Sequence, residues 1–246
     1  MRGIGTIVNV LTILAGTATG VALGGRLTER LRSTVLQAVG LVTVVIGVQE
    51  ALGTRNVVFP LVALVLGAGI GEAARIEDRL EAVGGAVRAW FRRGAAADDI
   101  QDRHDRHDRH DRRFAEGFVA ASLLFCVGPL TILGSIRDGL GGPDHAQLLL
   151  VKAALDGVVS VAFAATLGWG VAASVLTVVV VQGGLTLAAG AADRVLTDRM
   201  VTELTATGGI LVVGIGLRLL DVKKVPVASL LPALVLAPLG VALFAR

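Results

Sequence analysis

Asp156 is the residue of this chain best placed to do chemistry, because it is an acid inside an apolar block that runs over 148–168. It stands eight residues into the block, which at ~1.5 Å of rise per residue puts it ~12 Å deep along a helix. A carboxylate at that depth in hydrocarbon costs roughly 3 kcal/mol on insertion-derived scales, and ionisable groups kept there mark ion, proton or solute sites. Lys152, one turn earlier, offers the plainer alternative of a structural i, i+4 ion pair. Ser160, one turn later, extends Asp156-Gly157 into a polar notch on one helix face.

Further oxygen-bearing side chains sit in other apolar blocks. Glu116 opens a block over 115–136 that also holds Ser122, Cys126, Thr131 and Ser135, an unusually polar run for such a stretch. Asn9 and Gln182 are uncharged polar groups inside their blocks, and Glu203, Thr205 and Thr207 open another. The expected substrate- or ion-binding set is Asp156, Ser160, Glu116, Ser122, Ser135, Gln182 and Asn9, with interhelical hydrogen bonding as the competing use of the neutral ones. Asp138 is assigned to an outer loop and Glu50 to a span end at the interface. No metal site, cofactor or catalytic residue is expected: HExxH, GxSxG, Walker A and paired-Cys motifs are all missing, so the chain is read as no enzyme.

The elements that must position these residues follow from composition. Of 246 residues, 54% are hydrophobic and only 17% charged, with mean hydropathy +0.74, against about 25% charged in soluble domains. The apolar residues form blocks near the ~20 residues that cross ~30 Å of hydrocarbon as a helix. These predict spans at 4–24, 34–53, 57–74, 115–136, 148–168, 171–191, 204–220 and 226–245, hence a single all-α polytopic transmembrane bundle of about eight spans over 1–246. The first block is too long for the core of a cleaved signal and is read as a span. Gly168-Trp169-Gly170 makes a tight hairpin between two spans.

Between the third and fourth spans lies the one long polar stretch. Ile76, Leu80, Val83, Val87 and Trp90-Phe91 recur at helical spacing, predicting an amphipathic surface helix over 72–93. Residues 94–113, which include DRHDRHDRHDRR, read as a charged cytoplasmic linker rather than a metal-binding tract. With eight spans, fifteen of the 23 Lys and Arg residues fall on one side and seven on the other. The richer side should face the cytoplasm, which places both termini outside. The net charge of +3 thus reads as a topology signal, with no nucleic-acid footprint.

Glycines spaced four apart, Gly16-Gly20-Gly24 and Gly67-Gly71, should let helices pack closely. Gly128-Pro129 should kink or break the fourth span. Leu27-Thr28-Glu29-Arg30 is echoed 169 residues later by Leu196-Thr197-Asp198-Arg199, and at the same offset Gly40, Ile46 and Gly47 meet Gly209, Ile215 and Gly216. The echo predicts two three-helix repeats, 1–74 and 171–245, of opposite orientation, an architecture frequent among secondary transporters.

Several stretches carry a resemblance: Gly5-Thr6-Ile7-Val8-Asn9, Glu116-Gly117-Phe118-Val119, Ala121 to Gly128, Ile132 to Ile136 with Asp138-Gly139-Leu140, Leu155-Asp156-Gly157, Thr205 to Gly209 and Leu230 to Leu234. In these the chain resembles the bacterial YqgA/YdfK-like membrane proteins, domain of unknown function 554, over nearly its whole length apart from about 94–113. The resemblance implies a bacterial inner (cytoplasmic) membrane protein and supplies no activity or catalytic residues. The reading that follows is a secondary transporter or channel-like permease for a small solute or ion. A non-transporting scaffold or assembly factor is the alternative. The bilayer is the expected partner, with homo-oligomers allowed.

Overall fold

A computed structural model describes residues 2–26, 28–79, 104–126, 128–141 and 145–244 of the chain. Among them every element is helical. In chain order these are α1 (Ile4–Gly24), α2 (Glu29–Ala51), α3 (Val58–Ala73), α4 (His104–Cys126), α5 (Pro129–Leu140) and α6 (Gln147–Leu167). Then come α7 (Gly170–Val178, continued by a π turn at Val179–Gly183 and by Gly184–Leu187), α8 (Ala189–Val195), α9 (Asp198–Leu219) and α10 (Ala233–Phe244).

The two LT[ED]R motifs have the same local role. Thr28 and Thr197 are the N-caps of α2 and α9, accepting from the N–H groups of Leu31 and Met200, each at 3.3 Å. A threonine at this position satisfies one of the amides that a helix start leaves unpaired. The acid that follows the second cap, Asp198, suits the positive end of the helix dipole.

The block at 115–136 is not one straight span. Helix α4 stops at Cys126 and α5 leaves at 60° to it. Gly128 takes φ 147°, ψ 154°, which only glycine adopts readily, and Pro129 sits in the first turn of α5, where its missing N–H leaves nothing unpaired. The polarity of the block is partly spent on this break. The Thr131 hydroxyl donates to the Phe125 carbonyl at 3.0 Å, and Ser135 donates to the Thr131 carbonyl at 2.6 Å.

The described residues cover the polar stretch only in part. Residues 104–113, expected as linker, continue helix α4, and 94–103 lie outside the described residues. Of the amphipathic helix expected over 72–93, residues 72–73 end α3, 76–79 are helical and 80–93 lie outside the described residues.

The glycines act as seams. Gly16, Gly20 and Gly24 of α1 lie against the carbonyls of Gly157, Val161 and Ala165 of α6, a constant offset of 141 residues, so the two helices run parallel. A Cβ on any of the three would fall inside the neighbouring backbone. Helices α2 and α9 run antiparallel: a Cβ on Gly47 would lie 2.7 Å from the Gly209 carbonyl, and one on Gly209 would lie 2.7 Å from the Gly47 carbonyl. The contacts mirror each other at the 169-residue offset, since Gly47 packs on Val213 while Gly216 packs on Val44. Helix α3 also runs antiparallel to α10 and the 3-10 turn at Ala228–Leu230 before it, with Gly67 on Ala233 and Gly71 on Ser229.

Burial is inverted relative to a soluble protein. Asn9, Ser135, Asp138, Ser160, Gln182 and Glu203 are fully buried, whereas Ile7, Leu11, Val45, Val65 and Val158 are more than half exposed. Apolar surface on this scale needs a non-aqueous surround. Among the described residues five helices are long and apolar enough to cross a membrane, six if α4 and α5 form one bent span. Helix α3, with 16 residues, reaches only ~24 Å at ~1.5 Å per residue.

Candidate functional site

Three helices bring a charged pair and two amides together. Lys152 and Asp156 face each other one turn apart on α6 and form a buried salt bridge through Asp156 Oδ2. Asn9 of α1 donates through Nδ2 to the same Oδ2 at 2.9 Å, and to Gln182 Oε1 of α7 at 3.2 Å. The Lys152 ammonium also lies 5.7 Å from the ring centre of Phe125, the penultimate residue of α4. The side chains of Lys152 and Asp156 retain only 6% and 10% exposure.

The sequence of each helix explains this meeting. The small faces of Gly16 and Gly157 hold α1 against α6, which keeps Asn9 level with Asp156. Gln182 lies inside the π turn of α7, where one extra residue per turn redirects a side chain. Such bulges recur at functional sites.

The cluster is not saturated. Asn9 Oδ1, Gln182 Nε2 and Ser160 Oγ are buried without a hydrogen-bond partner, as is the hydroxyl of Thr17, farther along α1 from Asn9. Buried polar atoms in native proteins are overwhelmingly paired, so each orphan is a place where a ligand or water gains more than it loses. Together the set offers a carboxylate, an ammonium, a free amide oxygen, a free amide N–H and a free hydroxyl. That array can hold a proton, a monovalent cation or a small polar solute.

Of the residues expected from sequence, Asn9, Asp156 and Gln182 meet, and Ser160 lies one turn along the same face of α6. Ser122 instead shares a hydrogen bond with Thr177 at 3.0 Å, and Ser135 bonds within its own helix. Glu116 lies at the opposite end of the bundle, where Arg218 Nε donates to it at 3.3 Å and Arg218 Nη1 pairs with Glu77 at 3.0 Å.

Two buried acids carry roles that sequence reasoning missed. Asp138, expected in a loop, is fully buried in α5, accepting from the Gly5 N–H at 3.1 Å and pairing with His145 at 2.9 Å. It fastens the start of α1, whose first amides would otherwise be unpaired. Glu203 is also fully buried and accepts from the Thr54 hydroxyl (2.6 Å) and the N–H groups of Arg55 (2.9 Å) and Asn56 (3.2 Å), gripping the turn between α2 and α3. A helical start at Gly3 next to a remote acid, or a turn with three donors, leaves no local pattern to find.

Helices that bury polar groups and expose aliphatic ones define a helical membrane protein. The chain belongs to the family described as "Protein of unknown function (DUF554)", whose profile matches residues 4–242. It is 29% identical over 238 residues to the "Uncharacterized membrane protein YdfK" of Bacillus subtilis (strain 168), covering 95% of this chain and 93% of that one. It is 30% identical over 240 residues to the "Uncharacterized protein YqgA" of Escherichia coli (strain K12), covering 97% of each. No solved structure matches the chain.

Proposed function

We propose that this protein is a secondary permease for a small ion or solute in the bacterial inner membrane, with eight spans and both termini outside. The single observation that carries the reading is the buried Asn9–Lys152–Asp156–Gln182 cluster, assembled from three helices and left with unpaired polar atoms. Counting from Gln147, Asp156 lies nine residues into α6, ~14 Å along its axis at ~1.5 Å per residue. Polar groups at that depth are retained where they bind something.

The inverted repeat of 1–74 and 171–245 belongs to the same proposal. A two-fold axis in the membrane plane demands that α2 and α9 cross antiparallel with exchanged contacts. The exchange of Gly47–Val213 for Gly216–Val44 has this form. Rocking one repeat against the other would then expose α6 and α7 to each side in turn. With Asp156 sealed against Lys152, the arrangement corresponds to an occluded state, and the pair must open for a cation or proton to reach the carboxylate.

One observation favours a second reading, a membrane scaffold: Lys152 already answers the charge of Asp156, so the cluster can stand without a ligand. Proteoliposomes loaded with proton-, sodium- or potassium-sensitive dyes separate the two under the matching imposed gradients. A permease gives protein-dependent flux that Asp156→Asn abolishes, and the doubly neutral Lys152→Gln/Asp156→Asn variant, folded, is equally silent. Absence of flux from the wild type under every gradient removes these three ions as cargo, and full flux in the double variant removes the cluster from any transport role.

A further inference from the structure

Asn9 and Gln182 are the neutral members of the buried cluster, and each uses only half of its amide. Asn9 Nδ2 donates to Asp156 Oδ2 at 2.9 Å and to Gln182 Oε1 at 3.2 Å. Asn9 Oδ1 and Gln182 Nε2 are left without partners, on two side chains that are fully buried. The unused halves are complementary, since one accepts and the other donates.

A side-chain amide turned end for end exchanges its oxygen and nitrogen while keeping its shape. Turning both amides puts Asn9 Oδ1 where Nδ2 stood, between Asp156 Oδ2 and the Nε2 that Gln182 then offers. The Asn9–Gln182 hydrogen bond survives with its direction reversed. The contact with Asp156 survives only if Oδ2 carries a proton, because an ionised carboxylate accepts and cannot donate. Each arrangement makes two hydrogen bonds and leaves one amide donor and one amide acceptor unpaired. The amides alone therefore favour neither, and the proton on Asp156 decides between them.

We infer that this amide pair is a proton-operated switch: the ion that the cluster binds is the proton, carried on Asp156 Oδ2, and Asn9 and Gln182 reverse together when it binds or leaves. The proton comes from water, forms an O–H bond with Oδ2 and ends the salt bridge with Lys152. The ammonium keeps its charge and its place 5.7 Å from the centre of the Phe125 ring, so the cluster passes from neutral to singly positive and returns when the proton leaves. A metal cation does not fit the same set, because it has no use for the Gln182 Nε2 donor and would stand beside the Lys152 ammonium, which repels it. Among the described residues the titratable groups acting on Asp156 are Lys152 of its own helix and the Cys126 thiol at the end of α4, while α1 and α7 present neutral amides. The inference deepens the permease reading by naming the ion, and rests on that reading only for the proton's passage across the membrane.

The test is infrared difference spectroscopy on the full chain in lipid nanodiscs, stepping pH in choline chloride. A protonated-carboxyl band should grow in as pH falls and be missing from the doubly neutral Lys152→Gln/Asp156→Asn variant. The side-chain amide bands of Asn9 and Gln182 are assigned with isotope-labelled asparagine and glutamine and by their loss in Asn9→Leu and Gln182→Leu. They should shift with the same midpoint as the carboxyl band and stay fixed in the doubly neutral variant. Replacing choline by sodium or potassium should leave that midpoint in place. Amide bands that ignore pH while the carboxyl titrates, no Asp156-dependent carboxyl band while the protein stays folded, or a midpoint lowered by sodium or potassium would each overturn the inference. The titration needs no flux, so a wild type silent to a proton gradient would remove the passage and leave the switch standing, whereas a permease for another solute would show flux and fail here.

Discussion

Separating Lys152 from Asp156 is the most informative perturbation the structure offers. Both side chains are almost dry, at 6% and 10% exposure, so little solvent screening tempers their interaction. Breaking a buried pair from one side costs roughly 3–5 kcal/mol because the survivor stays charged and unpaired. The two single variants should differ. After Asp156→Asn the ammonium keeps the face of Phe125 at 5.7 Å, worth up to ~2 kcal/mol when desolvated, so the loss should sit near 3 kcal/mol. After Lys152→Gln the carboxylate keeps only the Asn9 amide, and the loss should approach ~5 kcal/mol. The double variant leaves no stranded charge and should fall within ~1.5 kcal/mol of the wild type, because polar side chains of similar size remain in place. At ~2–4 °C per kcal/mol for a chain of this length, the singles should lose about 6–20 °C of melting temperature and the double only a few degrees. Trp90 and Trp169 provide the fluorescence signal, with the protein in nanodiscs. If the two single losses simply add in the double, the pair is not coupled and the cluster has been misread.

Three further outcomes follow from the packing. Gly20→Val puts side-chain atoms into the backbone of α6 at Val161, so α1 should detach from α6, seen as loss of a cross-link engineered between the two helices. Glu203→Gln weakens three hydrogen bonds to the 54–56 turn; with charge-assisted bonds worth ~1.5–3 kcal/mol each and the amide retaining part of them, a loss of ~2–4 kcal/mol should appear as a lower melting temperature and faster proteolysis near Thr54. Gly128→Ala forces a side chain into φ 147°, a strain of ~1–3 kcal/mol, and should lower stability where alanine at Gly183, which has open space around it, does not.

Much of the fold was legible because hydrocarbon imposes long apolar blocks. The block at 4–24 is helix α1 over those same residues, and 148–168 is α6 within one residue. The Gly128-Pro129 break was readable because both residues act on their own backbone. The meeting of Asn9, Asp156 and Gln182 was half legible: each stood out as polar within its block, but their contact across 147 and 173 residues depends on seams that only the packed bundle defines. Ser122 and Ser135 looked equally eligible and are spent elsewhere. Asp138 and Glu203 were misjudged or passed over because their partners are backbone amides of distant segments, which carry no signature in residue type.

The π turn at Val179–Gly183 makes the length of α7 a quantity with consequences. It accommodates one residue more than a regular helix would, so removing any one of Val179, Val180 or Val181 converts the stretch to ordinary winding. Everything beyond it would keep its face, because the wide turn already absorbs the extra residue, whereas sliding the bulge along α7 would turn the residues it passes by ~100°, the angle between successive residues. Thr177 lies before the turn and touches α4, while Gln182 lies within it and touches α1. Migration of the bulge along α7 would let the helix release one neighbour while holding the other.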